Sequence, residues 1–392
     1  MILKSRDLSL FIAIIFLVGC SSQPEVEVPD HIKKLENLTV YPADAEPKME
    51  LELTREQTFG STDEFLIGRM EDIAVDSSGR VFITDQQKKL IVVFAPDGRF
   101  VAQLGREGKG PGEFSYIKSL QIRNDQLYVY DMNQQRVSVF TLDTLVGDNT
   151  ISLARNRGDY QPLRRAFPSI DEVYVRNNNT YIAKFISDDT EPTKQWQNIE
   201  TKGLFYLLDS TGKIASDKLI DFQEDTRTLF KVLEVPVKPF FGNALTALSS
   251  DNSIYWAGPE HFLIKEYSPS GAYRRAFYYP HENIPLTKAS ATEADVPDLY
   301  TKNMQSMDLP QSWPVLTEMK IDDQERLWVA TTVNDMSVNQ WWVLNPEGKL
   351  LARFRWPRKK PIQVIRNGYL YTRETEEDTG LKQIVRYRIE QQ

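Results

Sequence analysis

The chain has 392 residues, 41% of them hydrophobic, and a formal net charge of −8 at pH 7. This is apolar enough for a packed core, and the acidic balance excludes a duplex-binding protein, which needs a concentrated basic face against phosphates. The length exceeds what one core ordinarily organises, so two domains or a repeat array are expected.

In chain order, Lys4 and Arg6 form a short positive region, Leu8 to Val18 is an almost unbroken apolar run, and Leu17-Val18-Gly19-Cys20 follows at once. The run is well short of the ~20 residues a spanning helix needs, and no later segment approaches that length, so residues 1–19 read as a signal peptide and no transmembrane helix is expected. Leu17 to Cys20 resembles the lipobox of bacterial lipoproteins. The resemblance implies a diacylglyceryl group on Cys20, which becomes the new N-terminus and attaches the protein to a membrane. Ser21, which is not Asp, points by the same analogy to the outer membrane. Cys20 is the sole cysteine, so no intramolecular disulfide forms. Without residues 1–19 the chain loses two cations and one anion, leaving −9. Residues 20–47 are rich in Pro, Glu, Asp and Ser and read as a flexible tether.

Residues 48–392 carry a repeat. Phe94-Ala-Pro-Asp-Gly98, Leu208-Asp-Ser-Thr-Gly212, Tyr267-Ser-Pro-Ser-Gly271 and Leu344-Asn-Pro-Glu-Gly348 each join two strand-like runs, with Phe140 to Thr144 a degenerate fifth copy. These are hairpin signals, because Pro presets one turn torsion and Gly tolerates the left-handed one. Upstream of the hairpins lie six further strand pairs, at Ile73 to Asp85, Leu120 to Asp131, Val173 to Lys184, Ala247 to Gly258, Met319 to Ala330 and Gln363 to Arg373. Four short strands per unit, repeated six times, predict an all-β fold: a six-bladed β-propeller whose radial stacking protects sheet edges. The sixth copy runs out at Gln392 before its last strand. Met49 to Gly60 alternates apolar and charged residues, as the missing outer strand would, so the two chain ends are expected to close the ring together.

The stretch Asp76 to Phe114, with its DxxGRVFITD start and GxxGxGPGEF end, resembles an NHL repeat, and residues 48–392 resemble the six-bladed propeller lipoproteins of Gram-negative bacteria. The motif is clear in blade one and weak in blades three to six. The resemblance implies a binding scaffold, with Gly105 to Phe114 as the link between blades. A phosphate-cradling loop at Gly105 to Gly112 is rejected on context, since Pro111 and a strand follow where a helix N-terminus is required.

Catalytic signals are thin. There is no GxSxG elbow, and of the histidines His31, His261 and His281, the last two sit beside aromatics, as packed structural residues do. Aligning the innermost strands places Asp72, Ser119, Glu172, Thr246, Glu318 and Ile362 at one level of the central channel, with Glu71, Lys118 and Asp171 one residue before. Convergence of Asp72, Glu172 and Glu318 would suit a hard cation such as calcium. Six-bladed lactonases resembling gluconolactonase and paraoxonase hold a catalytic metal there, but their asparagine ligands have no match at these positions. A solvated channel mouth balanced by Lys118 and Arg69 is the preferred reading. Trp313, Trp328, Trp341, Trp342 and Trp356 crowd into blade five; alternation buries most, and Trp313 with one of the adjacent pair is expected at the surface, where it would stack on a sugar or a partner protein.

The reading is a lipid-anchored, non-enzymatic binding or assembly scaffold of the cell envelope with no cofactor. Its expected partners are the membrane, through Cys20, and a protein or glycan of the envelope. A calcium-dependent hydrolase and a glycan-binding protein are the alternatives.

Overall fold

A computed structural model describes residues 28–61, 65–153, 170–187, 196–230, 233–237, 240, 242–293 and 309–392. Cys20, the segment 1–19 and residues 20–27 lie outside them. Among the described residues no helix is long and apolar enough to cross a membrane.

The chain starts with α1 (Asp30–Lys33), β1 (Leu38–Val40) and β2 (Leu51–Gly60). Blade one is β3 (Ile73–Val75), β4 (Val81–Asp85), β5 (Leu90–Phe94) and β6 (Phe100–Leu104). The short pair β7 (Arg106–Glu107) and β8 (Glu113–Phe114) leads to blade two: β9 (Ile117–Arg123), β10 (Gln126–Asp131), β11 (Arg136–Thr141) and β12 (Gly147–Ser152). Blade three has five strands, β13 (Ile170–Val175), β14 (Tyr181–Ser187), β15 (Trp196–Leu208), β16 (Ile220–Phe230) and β17 (Leu233–Val237). Blade four is β18 (Leu245–Leu248), β19 (Ile254–Ala257), β20 (Leu263–Tyr267) and β21 (Tyr273–Tyr278), with β1 added at its edge; α2 (Lys288–Glu293) follows. Blade five is β22 (Leu316–Ile321), β23 (Leu327–Thr332), β24 (Val338–Leu344) and β25 (Leu350–Pro357). Blade six is β26 (Ile362–Arg366), β27 (Tyr369–Thr375) and β28 (Lys382–Gln391), with β2 as its outer strand.

Strand periodicity explains why these sheets stack radially. Successive side chains point to opposite faces, and in β4 both faces are covered, so the whole strand VFITD is buried. Phe82 enters the core shared with blade two, while Val81 and Ile83 enter the core shared with blade six. The same division in every blade yields a ring of apolar clusters, each joining two neighbours. A four-residue turn device recurs at the inner hairpins. Asp76 Oδ1 accepts from the backbone N–H of Ser78 and Arg80 while Oδ2 takes Arg80 Nε at 2.6 Å, and Asp322 repeats this with Gln324, Arg326 and, in addition, Trp328 Nε1 at 2.7 Å. Both carboxylates are buried and fully bonded, so they are structural.

The glycine stretch is the link between blades one and two. A Cβ on Gly105, whose φ is +79°, would stand 2.2 Å from the ring of Phe114, itself buried in the inter-blade core. Its carbonyls face a cation: Arg136 donates to the backbone oxygens of Lys109, Gly110 and Glu113, while Gly110 N–H is taken by Glu113 Oε2. At the far end, β2 runs antiparallel to β28 from Leu51 opposite Gln391 to Gly60 opposite Gln383, and Phe59 is fully buried between blades six and one.

Residues 28–47 depart from the expected tether. β1 pairs parallel with β21, Ile32 is fully buried against Leu263, Ala276 and Tyr278, and Tyr41 stacks on Tyr279 at 4.8 Å with its hydroxyl bonded to the Glu347 carbonyl. A one-turn helix and a three-residue strand carry too little periodicity to register as elements, yet Ile32, Leu35 and Leu38 are the apolar contacts that hold them.

Candidate functional site

The innermost strands line a central channel, and a repeated β-bulge sets which side chains reach it. Ile117, Ile170, Leu316 and Ile362 pair with Asp131, Phe185, Thr331 and Thr372; the next residue in each strand, Lys118, Asp171, Thr317 and Gln363, is then skipped by the ladder. Ser119, Glu172, Glu318 and Val364 therefore share one level, joined by Asp72 opposite Thr84; in blade four the place is taken by Leu245, opposite Ala257, and Thr246 lies one residue beyond it. Ile362 is not among them: it is fully buried in the core of blades five and six. The bulge adds a residue that alternation alone does not count.

At this level the carboxylates part ways. Asp72 Oδ2 accepts from Leu120 N–H at 2.8 Å, and burial pushes its pKa up, partly offset by that bond, by the N–H of Ile73 and by Lys320. Glu318 is pushed up by burial too, with Lys320 and Arg373 opposing; Lys320 Nζ lies 3.8 Å from its carboxylate. Glu172 is engaged elsewhere, by the hydroxyl of Tyr174 and by buried Lys184, whose Nζ is 3.2 Å from Glu172 and 3.4 Å from Asp171. Among the described residues, no group of three or more His, Cys, Asp or Glu is placed to hold a metal, so Asp72, Glu172 and Glu318 do not converge as ligands. Glu71 accepts from the Tyr116 hydroxyl at 3.2 Å, and Lys118 stands at the bulge of β9.

The expected aromatic platform is absent. Trp313 is 7% exposed and packs on Phe240 at 5.7 Å, while Trp341 and Trp342 are 1% and 5% exposed. The adjacent pair serves two different inter-blade cores, one ring per face of β24, so neither is left over for the surface. His261 and His281 do not form a pair either. His261 faces His31 at 5.3 Å and His281 packs near Phe262, both with pKa lowered by burial.

Toward the inner hairpins lies a chamber of about 510 Å³. Its rim is laced together tip to tip. Asn124 Nδ2 donates to the Asn177 carbonyl, Asn177 N–H to Asn252 Oδ1, Ser250 N–H to Glu325, Asn367 N–H to Asp323, and Asn367 Nδ2 to the Asp76 carbonyl. These tips need left-handed backbone, with φ of +48° and +56° at Asn124 and Asp125 and of +56° and +77° at Asn367 and Gly368, which is why Asn, Asp and Gly occupy them. The tips of blades one and two share no such bond among the described residues. Sequence reasoning reached the upper channel level but missed this chamber, whose signal was the Arg-Asn dipeptide before three of the turns.

Residues 59–162 match a domain family described as a 6-bladed beta-propeller. The chain is a six-bladed β-propeller. Two solved structures share this propeller fold: a Bacteroides fragilis NCTC 9343 protein classed as exported (13% identity, 90% of this chain and 99% of that one, TM-score 0.50) and a member of the duf4221 family from Bacteroides vulgatus ATCC 8482 (10% identity, 88% and 99%, TM-score 0.52). At such identities the likeness is one of fold. Rat peptidylglycine alpha-amidating monooxygenase is 42% identical over 81 residues, and its mouse counterpart 40% over the same length; the match spans 19% of this chain and 8% of either enzyme.

Proposed function

We propose that this propeller is a lipid-anchored binding protein of the cell envelope, held to the outer membrane through Cys20 and binding its partner without chemical turnover. The observation that carries the binding reading is the chamber on the axis, about 510 Å³ and walled by strands and hairpins of all six blades. A concave site on rigid elements, with a few convergent polar groups, is the ordinary form of a ligand site. The anchor rests on Leu17 to Cys20 and the positive, apolar segment before it. A lipidated cysteine adds more than the single acyl chain that binds only marginally. Since the fold does not itself determine function, the test is direct. The intact lipoprotein and its Cys20→Ala variant are expressed in the native envelope, fractionated with a salt wash, and recovered with whatever co-purifies. The wild type is expected in the outer-membrane pellet and the variant in the soluble fraction, both with the same bound molecule. A variant that stays in the pellet overturns the anchor, and turnover of the co-purified molecule overturns the binding reading.

A further inference from the structure

The chamber brings together three cations, Arg123, Lys320 and Arg366, on walls that also carry Asp125, Asp322, Asp323 and Glu325. Two channel-facing positions beyond the carboxylate level, the innermost strands contribute Ala74, Gln121, Lys320 and Arg366, so blade one offers a methyl group where its neighbours offer long polar side chains, and the space opens there. One further step along β9 brings Arg123 into the same chamber. Arg366 makes no ion pair among the described residues, and its Nε is buried without a hydrogen-bond acceptor. Arg123 has only backbone carbonyls for partners, those of Leu248 at 3.3 Å and Ser249 at 3.5 Å, and its pKa is lowered by burial, with the like charge of Arg366 adding and Glu325 opposing.

The nearby carboxylates keep their charge, but their direct bonds go to groups other than Arg123 and Arg366. Asp322 is taken by Arg326 and Trp328, Asp323 by Asn367 N–H, Glu325 by Ser250 N–H, and Asp125 is exposed at the tip of the inner hairpin of blade two. Lys320 stands 3.8 Å from Glu318 and also acts on Asp72. A half-buried guanidinium whose Nε is enclosed without an acceptor is costly, and its planar set of donors matches a carboxylate or phosphate. We propose that the chamber binds a small solute through an anionic group, held by Arg366 together with Arg123 and Lys320, and admitted between the unlaced tips of blades one and two. This rests on the reading of the channel as a binding site and names the chemistry of its ligand.

The test uses the detergent-solubilised full lipoprotein. Binding of inorganic phosphate and of citrate is measured by equilibrium dialysis and by thermal unfolding, against potassium chloride at matched ionic strength. Saturable binding of one or both is expected, with the stronger of the two identifying phosphate or carboxylate as the group recognised. Arg366→Met should weaken it roughly ten- to hundredfold, the loss of one charge-assisted contact, and Arg366→Lys should recover part of it. Arg99→Gln, at an exposed position on the outer rim, should bind as the wild type does. Because Arg366→Met removes an unsatisfied group, its melting temperature without anion should not fall, which separates lost binding from lost folding. Wild type that responds no more to phosphate or citrate than to chloride overturns the proposal, as does an Arg366→Met variant that binds as well as wild type. Native mass spectrometry of the same sample distinguishes the two readings: a neutral or cationic solute in an anion-indifferent protein refutes the anion site alone, and no solute of any kind removes the binding site with it.

Discussion

The two strands that precede blade one treat sheet edges in opposite ways. β2 is an integral blade strand, ten residues long, laid antiparallel along β28 with Phe59 buried in the core between the last and first blades. β1 is a three-residue strap, parallel to β21 on the outside of a blade that already has four strands. The first completes the ring, and the second covers an edge the ring leaves free. A free edge invites pairing with other chains, and β6 of blade one, with Phe100 and Val101 both 39% exposed, shows what an uncovered outer strand presents. The contrast teaches that closure and edge protection are separate tasks, with different energetic weight.

The largest expected effect is deletion of Met49 to Gly60. It removes Phe59 from a shared core and bares β28, and the cooperative thermal transition should be lost or fall by more than any single core truncation causes, which is about 3–5 kcal/mol for a Phe. A melting curve like that of the full chain would break the closure account.

Next in size, Ile32→Ala should cost about 2–4 kcal/mol if α1 and β1 are a packed part of the fold, read by chemical denaturation. If residues 28–41 are a strap that peels away first, the loss appears instead as faster hydrogen exchange confined to that segment and β21. Unchanged stability and exchange would return the segment to a solvated tether.

A pH dependence separates the strands further. His261 lies against His31 and its pKa is lowered by burial first and by His31 second, with Glu260 opposing. A histidine whose folded pKa is depressed stays neutral in the fold while the released form takes a proton, so docking is intact above the ordinary histidine pKa near 6.5 and weakens as pH falls below it. Proteolysis within residues 28–41 should therefore accelerate below about pH 6.5, while protection of β2 stays constant. His261→Gln should abolish the dependence; persistence in that variant would assign it to other groups.

The smallest effect is expected at the axis. Calcium titration should leave the melting temperature unchanged, because Glu172 is held by Lys184 and Tyr174 while Asp72 is bonded to Leu120 N–H, and no three-residue donor group forms among the described residues. A rise in melting temperature that protects both strands equally would point to a ligand that tightens the whole ring.

Periodicity and turn chemistry were written locally and are legible in the sequence. The Pro-Gly and Asn-Gly hairpins, the alternation of Met49 to Gly60 and the glycine link before Phe114 depend on neighbours within a few residues, so all six blades could be placed from them. The channel could not, because its geometry is a product of many blades at once. Only the strand register, with Val364 opposite Tyr371 as Glu318 is opposite Ala330, shows that Val364, two residues beyond Ile362, is on the axis. Trp313 and Trp342 were hidden by packing partners distant in sequence, and Ile32 found its pocket on blade four across more than two hundred residues. Arg123 and Arg366 likewise share a chamber only after the ring closes. Local torsional preference specifies each hairpin, whereas which side chains meet at the axis is a property of the closed ring, and the grouping of Arg123, Lys320 and Arg366 exists only there.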